Sequence, residues 1–336
     1  MFTKTLTTAS IAAAWMAATA HAETAYPLTL TNCGMQVTFD AAPQSVVTVG
    51  QATTEILYAL GLGERVLGTS VWFTDVLPEF AELDARIDRL ADNDPSFESV
   101  VVKRPGLVTA QYEWHIGPQG IVGTREQFSD LGIPTYTLPA DCIGKDNTAG
   151  SDGTRLEVYT MDSLYQGITE LSQIFDVTAR GDALVADLKA REAAAIAKAM
   201  DLGLHDASAV FWFSSAEMGI DPYVAGQGGA PAYMMQALGL RNVVQSHEEW
   251  PVVSWETIAR ANPSVIVAAR MERRRFEADD IKKKLEFMQT DPVVRQMAAV
   301  ENDRIIVLDA HGMDPSIRNI NALETLADAL AEFDLK

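Results

Sequence analysis

Residues 96–110 and 254–269 are built to one plan. Ser96-Phe97-Glu98 opens the first and Ser254-Trp255-Glu256 the second, each starting a short amphipathic helix. A basic or polar turn with Pro105 or Pro263 comes next. Then comes an apolar run, Leu107-Val108-Thr109-Ala110 or Val265-Ile266-Val267-Ala268, suited to a buried parallel strand. A unit that recurs so far along a chain can belong to two separate α/β lobes, and 336 residues are enough for two.

The rest of the chain supports two lobes. Alternating runs at 26–30 and 35–39 predict a strand pair, and Ser45–Val49 a buried strand. A helix over Thr53–Leu60 stops at Gly61-Leu62-Gly63, and strands are predicted at 65–70, 107–110 and 135–138, with a helix over 123–131 before the last. Residues 144–155 read as a polar, Gly-rich loop. Helices are predicted over 161–175 and then from Asp176 or Thr178 to about Met200, a rod of roughly 33 Å at 1.5 Å per residue. The pattern restarts with a strand at 209–213, a helix at 230–238 entered through Gly226-Gln227-Gly228-Gly229, a helix at 256–260 and a strand at 265–268. Helices at 281–288 and 292–300, a strand at 304–308 and a closing helix at 320–333 complete it. Strands alternating with helices in this way mean parallel sheets with right-handed crossovers. The expected class is α/β: two Rossmann-like lobes with mostly parallel sheets, joined by one long helix, with a ligand cleft between them. The expected boundaries are a signal peptide at 1–22, an N-terminal lobe at 23–176, the interlobe helix at 177–202 and a C-terminal lobe at 203–336.

The first 22 residues differ in composition from the remainder of the chain. Lys4 supplies a positive start, Leu6–Thr19 is apolar and Ala-rich, and Ala20-His21-Ala22 fits the small-x-small cleavage rule. This reads as a secretory signal cleaved after Ala22; the apolar run is too short for a membrane anchor, and no Cys marks a lipid attachment point. The expected compartment is the periplasm. The two cysteines, Cys33 and Cys142, then favour one disulfide over two buried thiols, and neither lies in a CxxC pair. With 46 acidic against 26 basic residues the chain is poorly suited to nucleic acid or an anionic membrane surface.

Ligands of open α/β sheets bind beyond the carboxyl ends of the strands. That rule points to Trp72-Phe73 after the strand at 65–70 and selects Gln51 and Thr53 at a helix start, Trp72, the run Tyr112-Glu113-Trp114, Glu217, Met218, Tyr223, Arg270, Arg273 and His311 as ligand-binding candidates. Aromatic, Met, Arg and carboxylate side chains together suit a bulky, partly aromatic ligand with anionic groups. A Trp at a strand end is as often a lid over the core, Trp212 sits inside its strand as a core residue would, and two of Arg273-Arg274-Arg275 read as a solvated face. His115, His205, His247 and His311 show no HxH or HExxH spacing, so no directly bound metal and no cofactor are expected. Enzyme motifs fail on context. Gly61-Leu62-Gly63 ends a helix rather than opening one, the Gly226–Gly229 run lacks the Lys-Ser/Thr of a P-loop, and there is no G-x-S-x-G. The chain is read as a carrier, not an enzyme.

Val37–Val47 and Thr54–Thr69 resemble the opening strands, first helix and second strand of the periplasmic binding proteins of iron-chelate and cobalamin ABC importers, the class with a single rigid interlobe helix. The resemblance covers residues 26–334; Gln44-Ser45 stands where Glu-Arg is common, and Pro105-Gly106 where Pro-Asp is common. It implies that Glu98 and Glu256, one per lobe, dock to Arg residues of an inner-membrane permease with its ATPase. The bland alternative is that each carboxylate only complements a helix dipole. Asn32-Cys33-Gly34 resembles a subgroup associated with ferric siderophores and another associated with a deazaflavin-cofactor precursor. The implied cargo is a small-molecule metal chelate, a ferric siderophore first, with cobalamin, haem or the deazaflavin precursor as alternatives, carried by a monomer.

Overall fold

The computed structural model describes residues 23–148, 153–204 and 206–335; the expected signal peptide and His205 lie outside them. The chain opens with an antiparallel hairpin, β1 (Leu28–Asn32) and β2 (Met35–Phe39). The first lobe then runs β3 (Val46–Val49), α1 (Gln51–Ala59), β4 (Val66–Ser70), α2 (Ala81–Asp84), β5 (Arg89–Ala91), α3 (Phe97–Val101), β6 (Val108–Ala110), α4 (Glu113–Ile116), α5 (Arg125–Asp130) and β7 (Thr135–Thr137). A small hairpin, β8 (Lys145–Asp146) and β9 (Thr154–Arg155), precedes α6 (Met161–Ile174) and α7 (Thr178–Met200). The second lobe runs β10 (Ser208–Ser214), β11 (Tyr223–Val224), α8 (Ala230–Ala237), β12 (Arg241–Asn242), α9 (Trp255–Ala261), β13 (Val265–Arg270), α10 (Ile281–Thr290), α11 (Ala298–Glu301), β14 (Ile305–Asp309) and α12 (Arg318–Glu332).

The first sheet has the order β5-β4-β3-β6-β7, all parallel. The second has the order β11-β10-β13-β14, with β12 also on β10; only β11 is antiparallel. Both sheets are covered on two faces, which is why their central strands read as unbroken apolar runs rather than alternating ones. All of β3 is buried. In β10 the two faces can be told apart: Ala209 and Phe211 join the main core, Val210 and Trp212 a second core with Trp255, Ile258 and Met288. The main core is continuous from the first lobe through α6 and α7 to one face of the second sheet, so apolar packing joins the lobes along one side.

Helix α7 is the strut between them. Its buried residues, Gly181, Leu188, Ala195 and Ala199, follow one stripe. At Gly181 a Cβ would lie 2.3 Å from Ser172 Oγ, so the crossing of α6 and α7 requires glycine there. Arg180 Nη1 donates to Leu60 O of the first lobe at 3.0 Å, and Arg191 makes a two-pronged pair with Glu324 on α12, at 2.8 and 2.7 Å. Cys33, in the β1–β2 turn, is disulfide-bonded to Cys142 beyond β7. The region 292–300, expected as one helix, is a 3-10 turn at Val294–Gln296 followed by α11. Met297 is extended (ψ 140°) and ends the turn, and Asn262 Oδ1 accepts from Ala298 N at 2.8 Å to start the next.

Candidate functional site

The carboxyl ends of β4, β10, β13 and β14 face one another, and their loops meet around Phe73. Its carbonyl accepts hydrogen bonds from two backbone N–H groups of the other lobe, Glu272 at 3.0 Å and Arg273 at 3.1 Å. Its ring stacks on His311, with centroids 5.6 Å apart and planes 12° from parallel, and meets Phe213 edge-on at 6.4 Å. The Arg273 guanidinium covers the ring at 4.2 Å from its centroid and donates to Asn93 Oδ1 at 2.8 Å. Phe213 in turn packs on Trp250 at 4.5 Å. The cleft is therefore closed by an aromatic and cationic cluster drawn from both lobes. A cavity of ≈ 490 Å³ lies away from it, between β2 and the edge of β7, and Arg125 is among its lining residues.

Two further contacts cross between the lobes. Arg318, at the start of α12, sends Nε to Glu55 Oε2 at 2.9 Å, Nη1 to Thr74 Oγ1 at 3.0 Å and Nη2 to Asp75 O at 2.6 Å, while Nη1 also meets Asp309 Oδ2 at 3.0 Å. Thr74 and Asp75 belong to the loop that carries Phe73. In the second, Glu249 accepts from Arg155 at 3.1 Å and pairs with Lys145 at 3.1 Å, and Lys145 also pairs with Asp141. All four side chains are buried. The hairpin that supplies Lys145 and Arg155 pairs with the second lobe at Thr154↔Glu248, and a Cβ on Gly228 would lie 2.5 Å from Arg155 Cβ.

Burial of Arg273 pushes its guanidinium below the ordinary arginine range, with Asp279 and Tyr112 opposing that shift. The hydrogen bond from His115 holds Asp94 below the usual carboxylate range, and Arg275 and Arg273 add to the effect. Burial would raise Glu249, but Lys145 and Arg155 outweigh it and hold it low.

The residues expected to bind ligand divide by position. Arg273 and His311 stand in the interlobe cluster, and Tyr112, half-buried, is close enough to act on Arg273 electrostatically. Trp114 is half-buried on α4, and Tyr223 is half-buried, 6.3 Å from Phe276. Glu217 is exposed, and Met218 packs on the second core. Arg270 is exposed and paired with Asp309 at 2.9 Å. The others are held inside the first lobe. Thr53 is fully buried and gives its hydroxyl to Thr109 at 2.8 Å. Gln51 Oε1 accepts from Phe73 N at 3.1 Å, so it shapes the loop rather than facing the cleft. Trp72 is buried against Arg89 and donates to Thr69 Oγ1 at 3.0 Å. The Glu113 carboxylate is bound by Arg125 at 2.6 Å and Thr137 at 3.0 Å. Among the described residues Cys33, Glu113 and Cys142 form a close group of metal-type donors, but both sulfurs are in the disulfide and the carboxylate is on Arg125.

Sequence reasoning missed Phe213 and Trp250, and it reached Phe73 only as the neighbour of Trp72 at a strand end. Which of the two rings faces the cleft is decided by Val71, whose φ of 59° reverses the chain at a residue type that rarely adopts it.

Two α/β lobes on a helical strut, meeting at their strand ends around an aromatic and cationic cluster, define a two-lobed ligand-capturing protein. The chain belongs to the periplasmic binding protein family, whose pattern matches residues 46–311. It is 24% identical over 245 residues to the uncharacterized ABC transporter substrate-binding lipoprotein YvrC of Bacillus subtilis, covering 72% of this chain and 69% of that one. A vitamin B12-binding protein of Pectobacterium carotovorum is 31% identical over 104 residues, only 34% of its length. Among solved structures, a periplasmic binding protein of Veillonella parvula superposes with a TM-score of 0.74 at 22% identity, covering 91% of this chain and 98% of that one. An Fe3+-hydroxamate transport protein of Saccharomonospora viridis superposes with a TM-score of 0.72 at 25% identity, covering 91% and 99%. No helix among the described residues is long and apolar enough to cross a membrane.

Proposed function

We propose that this protein is the substrate-binding component of an ABC importer, capturing a ferric siderophore or similar metal chelate in the periplasm and delivering it, as a monomer, to an inner-membrane permease. The observation that carries the cargo is the cleft cluster of Phe213, Trp250, His311 and Arg273, which here packs around the Phe73 ring. Flat apolar faces beside a partly buried guanidinium complement an anionic, partly aromatic chelate, and a chelate brings its own ligands to the metal. The Fe3+-hydroxamate protein among the structural relatives supports the same cargo class. Delivery is supported by Glu98 and Glu256, both exposed and each the second residue of its helix.

The mechanism is equilibrium capture. Both lobes touch the ligand, the α7 strut limits closure to small rotations, and the docked permease opens the lobes for release. The test is native mass spectrometry of protein isolated from its own periplasm, followed by calorimetric titration with ferric chelates. A retained ligand of metal-chelate mass, recovered unchanged after incubation, is the expected result. A ligand returned chemically altered, or no chelate binding at all, overturns the proposal; a bound mass matching haem, cobalamin or a deazaflavin precursor moves the cargo to that class.

A further inference from the structure

Phe73 sits between the lobes in the manner of a ligand. The Arg273 guanidinium lies over its ring, the His311 imidazole stacks on it, and its carbonyl oxygen takes two N–H groups of the opposite lobe. We propose that Phe73 is a built-in competitor for the cleft, and that the cargo displacing it carries aryl groups with oxygen acceptors beside them, as in the arms of a catecholate-type ferric chelate rather than an aliphatic hydroxamate. This inference rests on the chelate-capture reading above and narrows it.

Three observations favour displacement by such a group. First, His311 is fully buried with neither ring nitrogen hydrogen-bonded, and Asp314 Oδ2, 3.8 Å from Nδ1, is also buried and unpartnered. The hydrocarbon ring of Phe73 cannot meet these atoms, whereas catecholate oxygens can accept from a His311 N–H and an amide N–H of the chelate can donate to Asp314, and a buried polar atom without a partner is costly. Second, the loop is held in a conformation its sequence resists. Val71 is β-branched yet has φ 59°, a left-handed position that persists only where the surroundings enforce it. The restraints are visible: Gln51 N donates to Val71 O, Trp72 N to Asp92 O, and Gln51 Oε1 receives Phe73 N. Such a loop has strain to release when Phe73 leaves. Third, the Arg273 guanidinium that covers the ring has no carboxylate within ion-pair distance among the described residues, while Glu272 beside it is shared by Arg270 and Arg274, which leaves Arg273 the cation for an anionic ferric catecholate.

The test is calorimetric titration of wild type, Phe73→Ala and Arg273→Gln with two probes, the ferric complex of 2,3-dihydroxybenzoylglycine and the aliphatic trihydroxamate ferrioxamine B. Removing the competitor should tighten the catecholate complex about tenfold and change ferrioxamine B less than twofold, while Arg273→Gln should weaken the catecholate about tenfold. Phe73→Leu keeps apolar volume without the ring and should also tighten the catecholate, which keeps the test decisive if the alanine variant does not fold. An unchanged or weaker catecholate affinity in the Phe73 variants, or an equal gain for both probes, overturns the inference. Wild type that binds ferrioxamine B and not the catecholate overturns it while leaving chelate capture standing. Binding of neither probe by any variant overturns both.

Discussion

Arg318 and Glu55 form a two-pronged ion pair that joins the last helix of the second lobe to the first helix of the other, with both side chains buried. Such a pair is weak evidence of net stabilisation, because desolvation offsets much of the attraction. Breaking it from one side is another matter, since a lone charge is then left inside. Arg318→Met should destabilise the protein by about 3–5 kcal/mol, and Glu55→Met/Arg318→Met should recover part of that loss. Urea unfolding of the two single variants and the double variant measures the coupling. Additive losses would show that the pair does not act as a unit.

Lys284 is fully buried at the carboxyl ends of β10 and β13, where its ammonium donates to the carbonyls of Trp212, Phe213 and Ala269. Burial pulls its pKa from 10.5 down to about 7. The unfolded chain therefore holds one proton more between about pH 7 and 10, and stability rises with pH across that window by at most about 1.4 kcal/mol per unit. Below about pH 7 both states are protonated and the contribution is flat. The urea midpoint should be higher at pH 9 than at pH 7, and Lys284→Met should remove the difference. An unchanged slope in the variant would place the titration elsewhere.

The Cys33–Cys142 disulfide spans a sequence separation of 109. Closing a loop of that length restricts the unfolded chain by at most about 4–5 kcal/mol on the chain-entropy account, and measured effects centre on about 2–4. Cys33→Ser/Cys142→Ser should lower the melting temperature, and reductant should lower that of wild type to a similar value. A variant that melts with oxidised wild type would show that the hairpin is held by packing and Asn32 alone, which exchanges two hydrogen bonds with Thr137.

Much of this architecture could be read in advance, for definite reasons. Buried parallel strands such as Val46–Val49 and Val265–Ala269 are apolar throughout, and α7 has no Pro or mid-helix break to interrupt its pattern. Short edge elements could not be read. Arg89–Ala91 carries no periodicity in three residues, and the β8–β9 hairpin hides in a stretch that is polar because its charges are satisfied from the other lobe. The strand-end rule reached the cleft at Arg273 and His311. It failed at Thr53 and Glu113, which also come after strands, because Thr109 and Arg125 draw their polar atoms inward. Side-chain direction at a strand end depends on partners remote in sequence, and no local pattern encodes them.

Glu98 and Glu256 each lie two residues after a Ser whose hydroxyl already accepts from the helix, Ser96 from Ser99 N at 3.1 Å and Ser254 from Thr257 N at 3.3 Å. Neither carboxylate forms an ion pair among the described residues. Capping therefore does not need them. Glu98→Lys and Glu256→Lys should each leave chelate affinity unchanged and stability within about 1 kcal/mol, since only the helix-dipole contribution is lost. Uptake in cells carrying the permease should fall sharply in either variant. Loss of stability with uptake retained would assign the carboxylates to their helices instead.

Glu249 is the carboxylate that Lys145 and Arg155 share across the lobes. Glu249→Gln keeps the shape but leaves two buried cations facing an amide, so about 3 kcal/mol of stability should be lost. The hairpin around residues 144–157 should then be cut faster by protease than in wild type. Because the two cations hold Glu249 below the ordinary carboxylate pKa, its contribution is complete above that ordinary value and declines as pH falls through the lowered one. Acid should therefore narrow the gap between wild type and Glu249→Gln, with the urea midpoints drawing together below about pH 4. A gap that persists at pH 3 would mean that shape, and not charge, holds the hairpin to the second lobe.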